Sequence, residues 1–177
     1  MTTTASDNPP TNARAGVAEP APVPTSRQPN DPTPQDRGEV LEKHARYLEA
    51  NNASSDSGLL RQVWDANPKN LYYNMGGHPY RGVEHWSKLW DYYHSRVVAP
   101  IGYTSYDQRV QVRGDVAWVT CHRYGSSKWV GVEPRRNQPD GVKLSRSTEI
   151  LVRQPDGWRT VHVHFSVGSS DPRPGGI

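Results

Sequence analysis

The strongest constraint on the fold comes from residues 147–166, which have the pattern of a single β-hairpin. Two stretches rich in β-branched and aromatic residues flank a Pro155-Asp156-Gly157 turn. In the second arm the side chains alternate between two faces, with Trp158, Thr160, His162 and His164 on one and Arg159, Val161, Val163 and Phe165 on the other. Because both faces carry large side chains, we expect both to be covered, by helices on one side and by a partner subunit on the other.

The order of elements before this hairpin predicts the fold class. Apolar residues at helical spacing predict three helices, from about 36 to 50, from near Ser57, and from near Gly82 to before Pro100. After Pro100 the pattern is typical of strands, at 103–113 and 115–124, with 128–132 as a continuation and 134–141 as a polar loop. The sequence therefore predicts an α+β fold, in which a cone-like, curved antiparallel sheet wraps around three N-terminal helices and encloses a pocket.

Composition divides the chain into a folded domain and two tails. Residues 1–36 hold eight of the sixteen prolines and none of the aromatic residues. Such a segment cannot offset its chain entropy by burying apolar surface. We therefore expect a disordered Pro-rich tail at 1–36, one domain at 37–168 and a flexible C-terminal tail at 169–177.

Charge and cysteine content exclude several classes of function. The net charge is +3 and basic residues are interspersed with acids, so no basic stripe for nucleic acid is predicted. The single cysteine, Cys121, allows neither an intramolecular disulfide nor a cysteine metal cluster, and we expect it in the core. The sequence shows no signal-peptide pattern and no apolar run of about 18 residues, which predicts a cytoplasmic protein that does not enter a membrane.

Two segments resemble a known family. They are Leu71-Tyr-Tyr-Asn-Met-Gly-Gly-His-Pro-Tyr-Arg-Gly-Val-Glu-His-Trp86 and Gly114-Asp-Val-Ala-Trp118, the latter followed by the final hairpin. The chain resembles the nuclear transport factor 2-like superfamily over about 38–168. Within that superfamily it is most similar to the SnoaL-like and ketosteroid-isomerase-like branch, and to the association domain of calcium/calmodulin-dependent kinase II. The resemblance implies a cone-shaped domain with a pocket, and a homodimer formed through the outer face of the sheet.

The resemblance implies two kinds of function, because this scaffold serves many purposes. The first is a cofactor-independent small-molecule enzyme of secondary metabolism. It would be an isomerase, a polyketide cyclase or a dehydratase (a lyase) that works by general acid/base proton transfer on a small aromatic or polycyclic substrate. The alternative is a non-catalytic ligand-binding or homo-oligomeric assembly module of the same fold.

The resemblance also suggests catalytic residues. Tyr47 matches the tyrosine with which ketosteroid isomerases donate to the enolate oxygen, and Glu149 falls at the place of their protonated aspartate. Arg123 stands where the kinase association domain has a pocket arginine. We therefore expect Tyr47 to donate to an oxygen, Glu149 to shuttle a proton and Arg123 to fix an anionic group. In the alternative interpretation, Arg123 and Glu149 form a buried structural ion pair.

One position departs from the isomerase pattern. Tyr73 stands where those enzymes have their catalytic aspartate, and tyrosine is a poor base at neutral pH. Steroid isomerisation by that mechanism is therefore not predicted. Aromatic residues with polar tips suit a pocket for a flat ligand and also suit an ordinary core. The predicted substrate-binding residues are Tyr73, Trp86, Trp90, Tyr93, Phe165 and His164.

Histidines 162 and 164 would lie on one strand face about 7 Å apart. A metal site would need a third ligand, for which His44 and His122 are the candidates. We predict packing against the sheet for this pair, and no metal or cofactor.

Overall fold

The structure is a computed structural model, which describes residues 33–53, 55–94, 96–98, 102–130 and 141–167. Most of the predicted Pro-rich tail, nearly all of the polar loop at 134–141 and the C-terminal tail at 169–177 lie outside the described residues. The described ranges contain three helices, as predicted: α1 (Pro34–Asn52), α2 (Ser57–Arg61) and α3 (Gly82–His94). No helix in the described part of the chain combines the length and the apolar character that crossing a membrane requires.

Helix α1, which carries Tyr47, begins two residues before the predicted start because Thr33 caps it. The Thr33 hydroxyl accepts a hydrogen bond from the Asp36 amide, and the Asp36 carboxylate accepts one from the Thr33 amide at 2.8 Å. This reciprocal capping box satisfies two backbone groups that a helix otherwise leaves without partners. Pro34 occupies the first turn, where its missing N–H costs nothing.

Removing the cap should weaken α1 measurably. We expect Thr33→Ala to lower the free energy of unfolding by about 1 kcal/mol, because the Asp36 amide loses its acceptor. Thr33→Ser keeps the hydroxyl and should stay close to the wild type. Urea denaturation followed by circular dichroism measures both variants, and equal midpoints for the alanine variant and the wild type would show that the cap contributes nothing.

The strands form one curved sheet. They are β1 (Leu71–Tyr73), β2 (Pro79–Arg81), β3 (Val97–Val98), β4 (Thr104–Arg113), β5 (Val116–Trp129), β6 (Gly141–Gln154) and β7 (Gly157–Val167). The order is β2-β1-β7-β6-β5-β3, with β4 also paired to β5. The sheet was predicted to be antiparallel, but it is mixed, because β1 pairs with β7 in parallel. A parallel pair needs a long connection, and here the chain from β1 to β7 contains α3 and every other strand.

The final hairpin is confirmed, but the predicted alternation of side chains along its second strand is wrong. Ile150 pairs with His162 whereas Leu151 pairs with Thr160, so β7 carries one extra residue, Val161. This β-bulge exchanges the two faces of the strand at that point. Its buried side chains are therefore Trp158, Thr160, Val163 and Phe165. The histidines at 162 and 164 lie on the opposite face from Trp158, and Phe165 is turned towards the helices.

The core between the helices and the sheet is largely aromatic. Trp64 is 1 % exposed, and its ring lies 4.2 Å from that of Tyr72 and 5.1 Å from that of Trp86. A second cluster joins Val40 of α1 to Trp158 and the inner side chains of β4 and β5. The aromatic residues that flank the sheet are thus divided between solid core and the wall of a cavity.

Candidate functional site

A cavity of about 340 Å³ lies between α1, α3 and the concave face of the sheet. Its wall is mainly aromatic, with amides and a cation between the rings. The described residues of the wall with aromatic rings are Tyr47, Trp86, Trp90, Tyr93, His94, Tyr103, Trp129 and Phe165, and those with other polar groups include Asn51, Asn52, Asn74, Ser127 and Arg123. A volume near 340 Å³ lies at the small end of the range for ligand pockets.

Arg123 brings a buried positive charge to this wall. Its side chain lies on the buried face of β5 and is only 3 % exposed. The guanidinium carbon lies 4.8 Å from the ring centroid of Phe165, 5.2 Å from that of Tyr103 and 5.4 Å from that of Tyr47. Gly125 makes this cage possible, since a Cβ there would lie 2.4 Å from the Tyr103 ring.

Tyr47 is placed beside this cation by α1. Its ring stacks between Trp64 at 5.6 Å and Phe165 at 5.9 Å. Burial raises the pKa of Tyr47 to about 12, with the charge of Arg123 opposing the rise and that of Glu149 adding to it. The phenol is therefore protonated at neutral pH, and it can donate a hydrogen bond or a proton but cannot act as a base.

Glu149, the predicted proton shuttle, is not part of the cavity wall that the structure describes. Its side chain is fully buried, and Oε1 lies 2.9 Å from Nδ1 of His44, while Oε2 has no hydrogen-bond partner among the described residues. In the sheet Arg123 lies opposite Ser145, four residues before Glu149 on β6, a separation of about 13 Å along the strand. The predicted pair between Arg123 and Glu149 is therefore not formed. Glu149 does form a buried ion pair, but its partner is His44, which the sequence suggested only as a possible metal ligand.

His44 is the side chain that pairs with Glu149 in the protein core. It lies on α1, 1 % exposed, with Nε2 at 2.9 Å from Oγ of Ser105 and at 3.9 Å from Sγ of the buried Cys121. Burial opposes the charged imidazole, but the attraction of Glu149 and the hydrogen bonds to Cys121 and Glu149 prevail and raise the pKa of His44 to about 10. At neutral pH His44 is therefore an imidazolium, and both of its N–H groups donate.

The raised pKa of His44 predicts how stability depends on pH. The folded state holds a proton that the unfolded chain releases above about pH 6.5, so the stabilisation is complete below that pH. It should disappear as the pH rises from about 6.5 towards 10. We expect the free energy of unfolding in urea to fall more steeply over this range for the wild type than for a variant with leucine at both 44 and 149. If the free energy of unfolding depends on pH in the same way in the wild type and in the double variant, the assignment of a charged His44 is wrong.

Two predicted substrate-binding residues lie away from the cavity. Tyr73 of β1 pairs with His164 of β7, their rings are 5.5 Å apart, and neither belongs to the described wall. The bulge at Val161 explains the position of His164, because it exposes that side chain and buries Phe165. His162 donates from Nδ1 to the carbonyl of Leu71 at 2.7 Å. Within the described ranges, no group of three or more His, Cys, Asp or Glu side chains could hold a metal.

The structure adds wall residues that the sequence interpretation missed. Tyr103 directly precedes β4 and Trp129 ends β5, so antiparallel pairing brings both to the same end of these two strands, and His94, an exposed residue of α3, also contributes to the wall. Trp129 could have been found from β5, since it follows Arg123 by an even number of residues and so shares its strand face. The side-chain oxygen of Asn74 accepts from the amides of Gly76 and His78. This turn places Met75 and Gly76 at the cavity. The sequence did not indicate that location.

Comparison with known proteins supports the fold. A nuclear transport factor 2-like superfamily protein from Salmonella enterica superposes with a TM-score of 0.66 at 19 % identity, covering 81 % of this chain and 98 % of that one. A proposed aromatic ring hydroxylase from Novosphingobium aromaticivorans gives 0.65 at 13 % identity, covering 78 % and 93 %. A proposed dehydratase of the same superfamily from Streptomyces avermitilis gives 0.60 at 20 % identity, covering 78 % and 100 %.

Identities this low establish the fold alone. No curated protein sequence is significantly similar to this chain. A family model described as the SnoaL-like domain, however, matches residues 40–170, a range that contains most of α1, the helices α2 and α3, and every strand described. The chain has the fold of its nuclear transport factor 2-like structural neighbours, with helices over a curled, mixed sheet, and it belongs to the SnoaL-like domain family.

Proposed function

We propose that this protein binds a small, flat organic substrate in the cavity and catalyses proton transfer on it without a cofactor. The reaction would be an isomerisation, a cyclisation or a dehydration. The observation that carries the proposal is the protonated Tyr47 phenol beside the Arg123 guanidinium on the wall of an aromatic cavity. A hydrogen-bond donor and a fixed charge at one place are what a developing oxyanion requires. The proposed dehydratase from Streptomyces avermitilis, which shares the fold, fits this class of reaction.

We assign the role of each residue in the proton transfer from whether its side chain contacts the cavity. Tyr47 donates its proton or a hydrogen bond to the oxygen on which negative charge develops, and Arg123 stabilises that charge. Glu149 acts from behind the wall as a positioning residue, since its charge helps to keep Tyr47 protonated. Histidine is the side chain that most readily exchanges protons near neutral pH. We therefore assign the acceptance of the substrate proton to His94, in the last turn of α3 on the described wall.

Hydrogen–deuterium exchange tests the proposal and does not require the product to be identified. Compounds that co-purify with the protein, and a panel of small cyclic ketones and hydroxy acids, are incubated with the enzyme in deuterated water. We expect one or more to gain deuterium at carbon, since proton transfer to and from carbon is the proposed chemistry. His94→Gln should slow the exchange, whereas His85→Gln, an exposed histidine of α3 away from the cavity wall, should not. If compounds bind in the cavity and none exchanges or reacts, the catalytic proposal is wrong.

A homodimer is the second element of the proposal, and the outer face of the sheet supports it. Tyr124 and Leu144 lie opposite each other on β5 and β6, and Tyr106 stacks on His122 beside them. Leu144 is 59 % exposed and Tyr106 48 %. A contiguous apolar patch of this kind is typical of an interaction site, and a two-fold dimer is the commonest way to cover one. This face also supports the alternative function of an assembly module.

Sedimentation distinguishes the patch from other exposed apolar residues. We expect the wild type to sediment as a dimer and Leu144→Glu as a monomer, because a charge would be buried at the centre of the interface. Val167→Glu is the matched control, since Val167 is 57 % exposed and lies on the other face of the sheet, opposite Ser145. A monomeric wild type, or a Leu144→Glu dimer, contradicts this interface.

A further inference from the structure

Arg123 carries a buried positive charge at the cavity that is not matched by a carboxylate of the described wall. Its side chain is 3 % exposed, and its Nε is buried without a hydrogen-bond partner among the described residues. Among the described residues of the wall there is neither aspartate nor glutamate. Glu149, a carboxylate on the buried face of the same sheet, is already paired with His44. A full positive charge therefore stands in a desolvated site, where a buried charge is normally paired.

The rings around Arg123 do not replace an anion. Cation–π contacts with Phe165, Tyr103 and Tyr47 stabilise the guanidinium from the sides. Among the described residues they leave the donor Nε–H without a hydrogen-bond partner. A guanidinium presents parallel N–H groups that match the two oxygens of a carboxylate. An oxyanion could accept from this N–H and offset the charge, and a planar carboxylate fits the guanidinium best.

The rest of the wall limits what carries that oxyanion. Trp90, Trp129 and Phe165 offer ring faces and edges for a flat hydrocarbon part. The described wall has one arginine and no lysine, which is too little positive charge for a polyphosphate, and a cavity of about 340 Å³ lies at the small end of the range for ligand pockets and favours a small ligand. A ligand of one or two fused rings with a single negative charge satisfies all three limits.

We propose that the cavity selects a small aromatic or cyclic carboxylate, whose anion pairs with the guanidinium of Arg123 while its ring packs against the aromatic wall. This inference rests on the proposed function and names the class of its substrate. The ligand supplies a counter-ion that the described residues of the wall do not provide. Neutral compounds of the same shape bind more weakly, because they leave the cation unpaired.

The test compares two probes that differ only in charge. Naphthoate and naphthamide have the same ring system and nearly the same shape, but only naphthoate is an anion at pH 7.4. Their binding to the full-length chain is measured by isothermal titration calorimetry at physiological salt. We expect naphthoate to bind at least about tenfold more tightly, which corresponds to one charge-assisted hydrogen-bonded contact. In Arg123→Gln the preference for naphthoate should disappear while the affinity for naphthamide stays within about twofold.

Two further variants keep the result interpretable. Arg46→Gln removes one positive charge from the exposed surface of α1, where Arg46 pairs with Glu42, and should leave the preference unchanged. Arg123→Lys keeps the positive charge but lacks the parallel N–H groups of the guanidinium, so it should retain part of the preference for naphthoate. It serves as the test if Arg123→Gln does not fold. Thermal unfolding verifies that each variant is folded.

The outcomes separate this inference from the function on which it rests. If the wild type binds both probes equally, or if Arg123→Gln keeps the preference, the inference is wrong and small-molecule binding still stands. If neither probe binds to the wild type, the inference is overturned and the proposed binding function loses its support as well. A preference for naphthoate that depends on Arg123 and not on Arg46 supports the inference.

Discussion

Replacing His44 by leucine, with Glu149 unchanged, should lower the free energy of unfolding by about 3–5 kcal/mol. Glu149 is fully buried, and the imidazole of His44 at 2.9 Å is its partner in the described part of the chain. Without that imidazole a carboxylate would remain charged in the core, or would have to take up a proton. Both alternatives cost free energy in the folded state and none in the unfolded chain.

Companion variants show that the loss comes from the unpaired charge. Glu149→Gln leaves a histidine that can become neutral, so we expect a smaller loss of stability. Leucine at both positions removes both charges at similar volume and should recover most of the stability, since apolar replacements of buried ion pairs are often neutral. Urea denaturation at pH 7 measures the whole cycle. A double variant as unstable as His44→Leu would mean that packing, and not charge, decides the effect.

Replacing Tyr47 by phenylalanine should lower kcat by about 10²–10⁴-fold, the usual contribution of a positioned proton donor. The ring would keep its stacking on Trp64 and Phe165, so folding and the dissociation constant of the substrate should change little. The measurement uses a substrate that exchanges deuterium with solvent, and it determines kcat and binding separately. A loss confined to kcat identifies an interaction made only in the transition state.

Tyr92→Phe is the matched control for Tyr47→Phe. Tyr92 is a 40 % exposed tyrosine of α3 that lies under Arg96 and is not part of the cavity wall. It should keep wild-type turnover. If Tyr47→Phe also retains turnover within about threefold, Tyr47 is not the proton donor and the proposed mechanism fails at its first step.

Much of the fold could be predicted because local patterns and turns carry it. Helix α3 begins at the predicted Gly82, and the final hairpin turns at Pro155 and Asp156 between the paired residues Gln154 and Gly157. Gly157 has φ of 110°, a conformation that favours glycine. The resemblance in residues 71–86 and 114–118 led to the correct SnoaL-like family and to the correct fold. Each of these signals depends on residues close together in the chain.

Part of the site could also be predicted. Trp86, Trp90 and Tyr93 line the cavity and were placed on one face by helical spacing, whereas Tyr47, Arg123 and Phe165, which also line it, were expected there from the resemblance to the family. Glu149, Tyr73 and His164 do not line it. The bulge at Val161 displaces His164, and no local pattern announces a bulge. The partner of Glu149 depends on how α1 lies across the sheet, which no residue near Glu149 determines.

The sequence by itself determined the order of helices and strands, the position of the tight turns and the supply of aromatic residues that a cavity of this kind needs. Only the tertiary structure decided that His44, Ser105 and Glu149 meet, and that Arg123 stands at the cavity without a carboxylate among the described residues of the wall. The physical reason is the range of the interactions. Propensity and alternation act over a few neighbouring residues, whereas the pairing of buried charges depends on the register and curvature of a sheet that joins residues about a hundred positions apart.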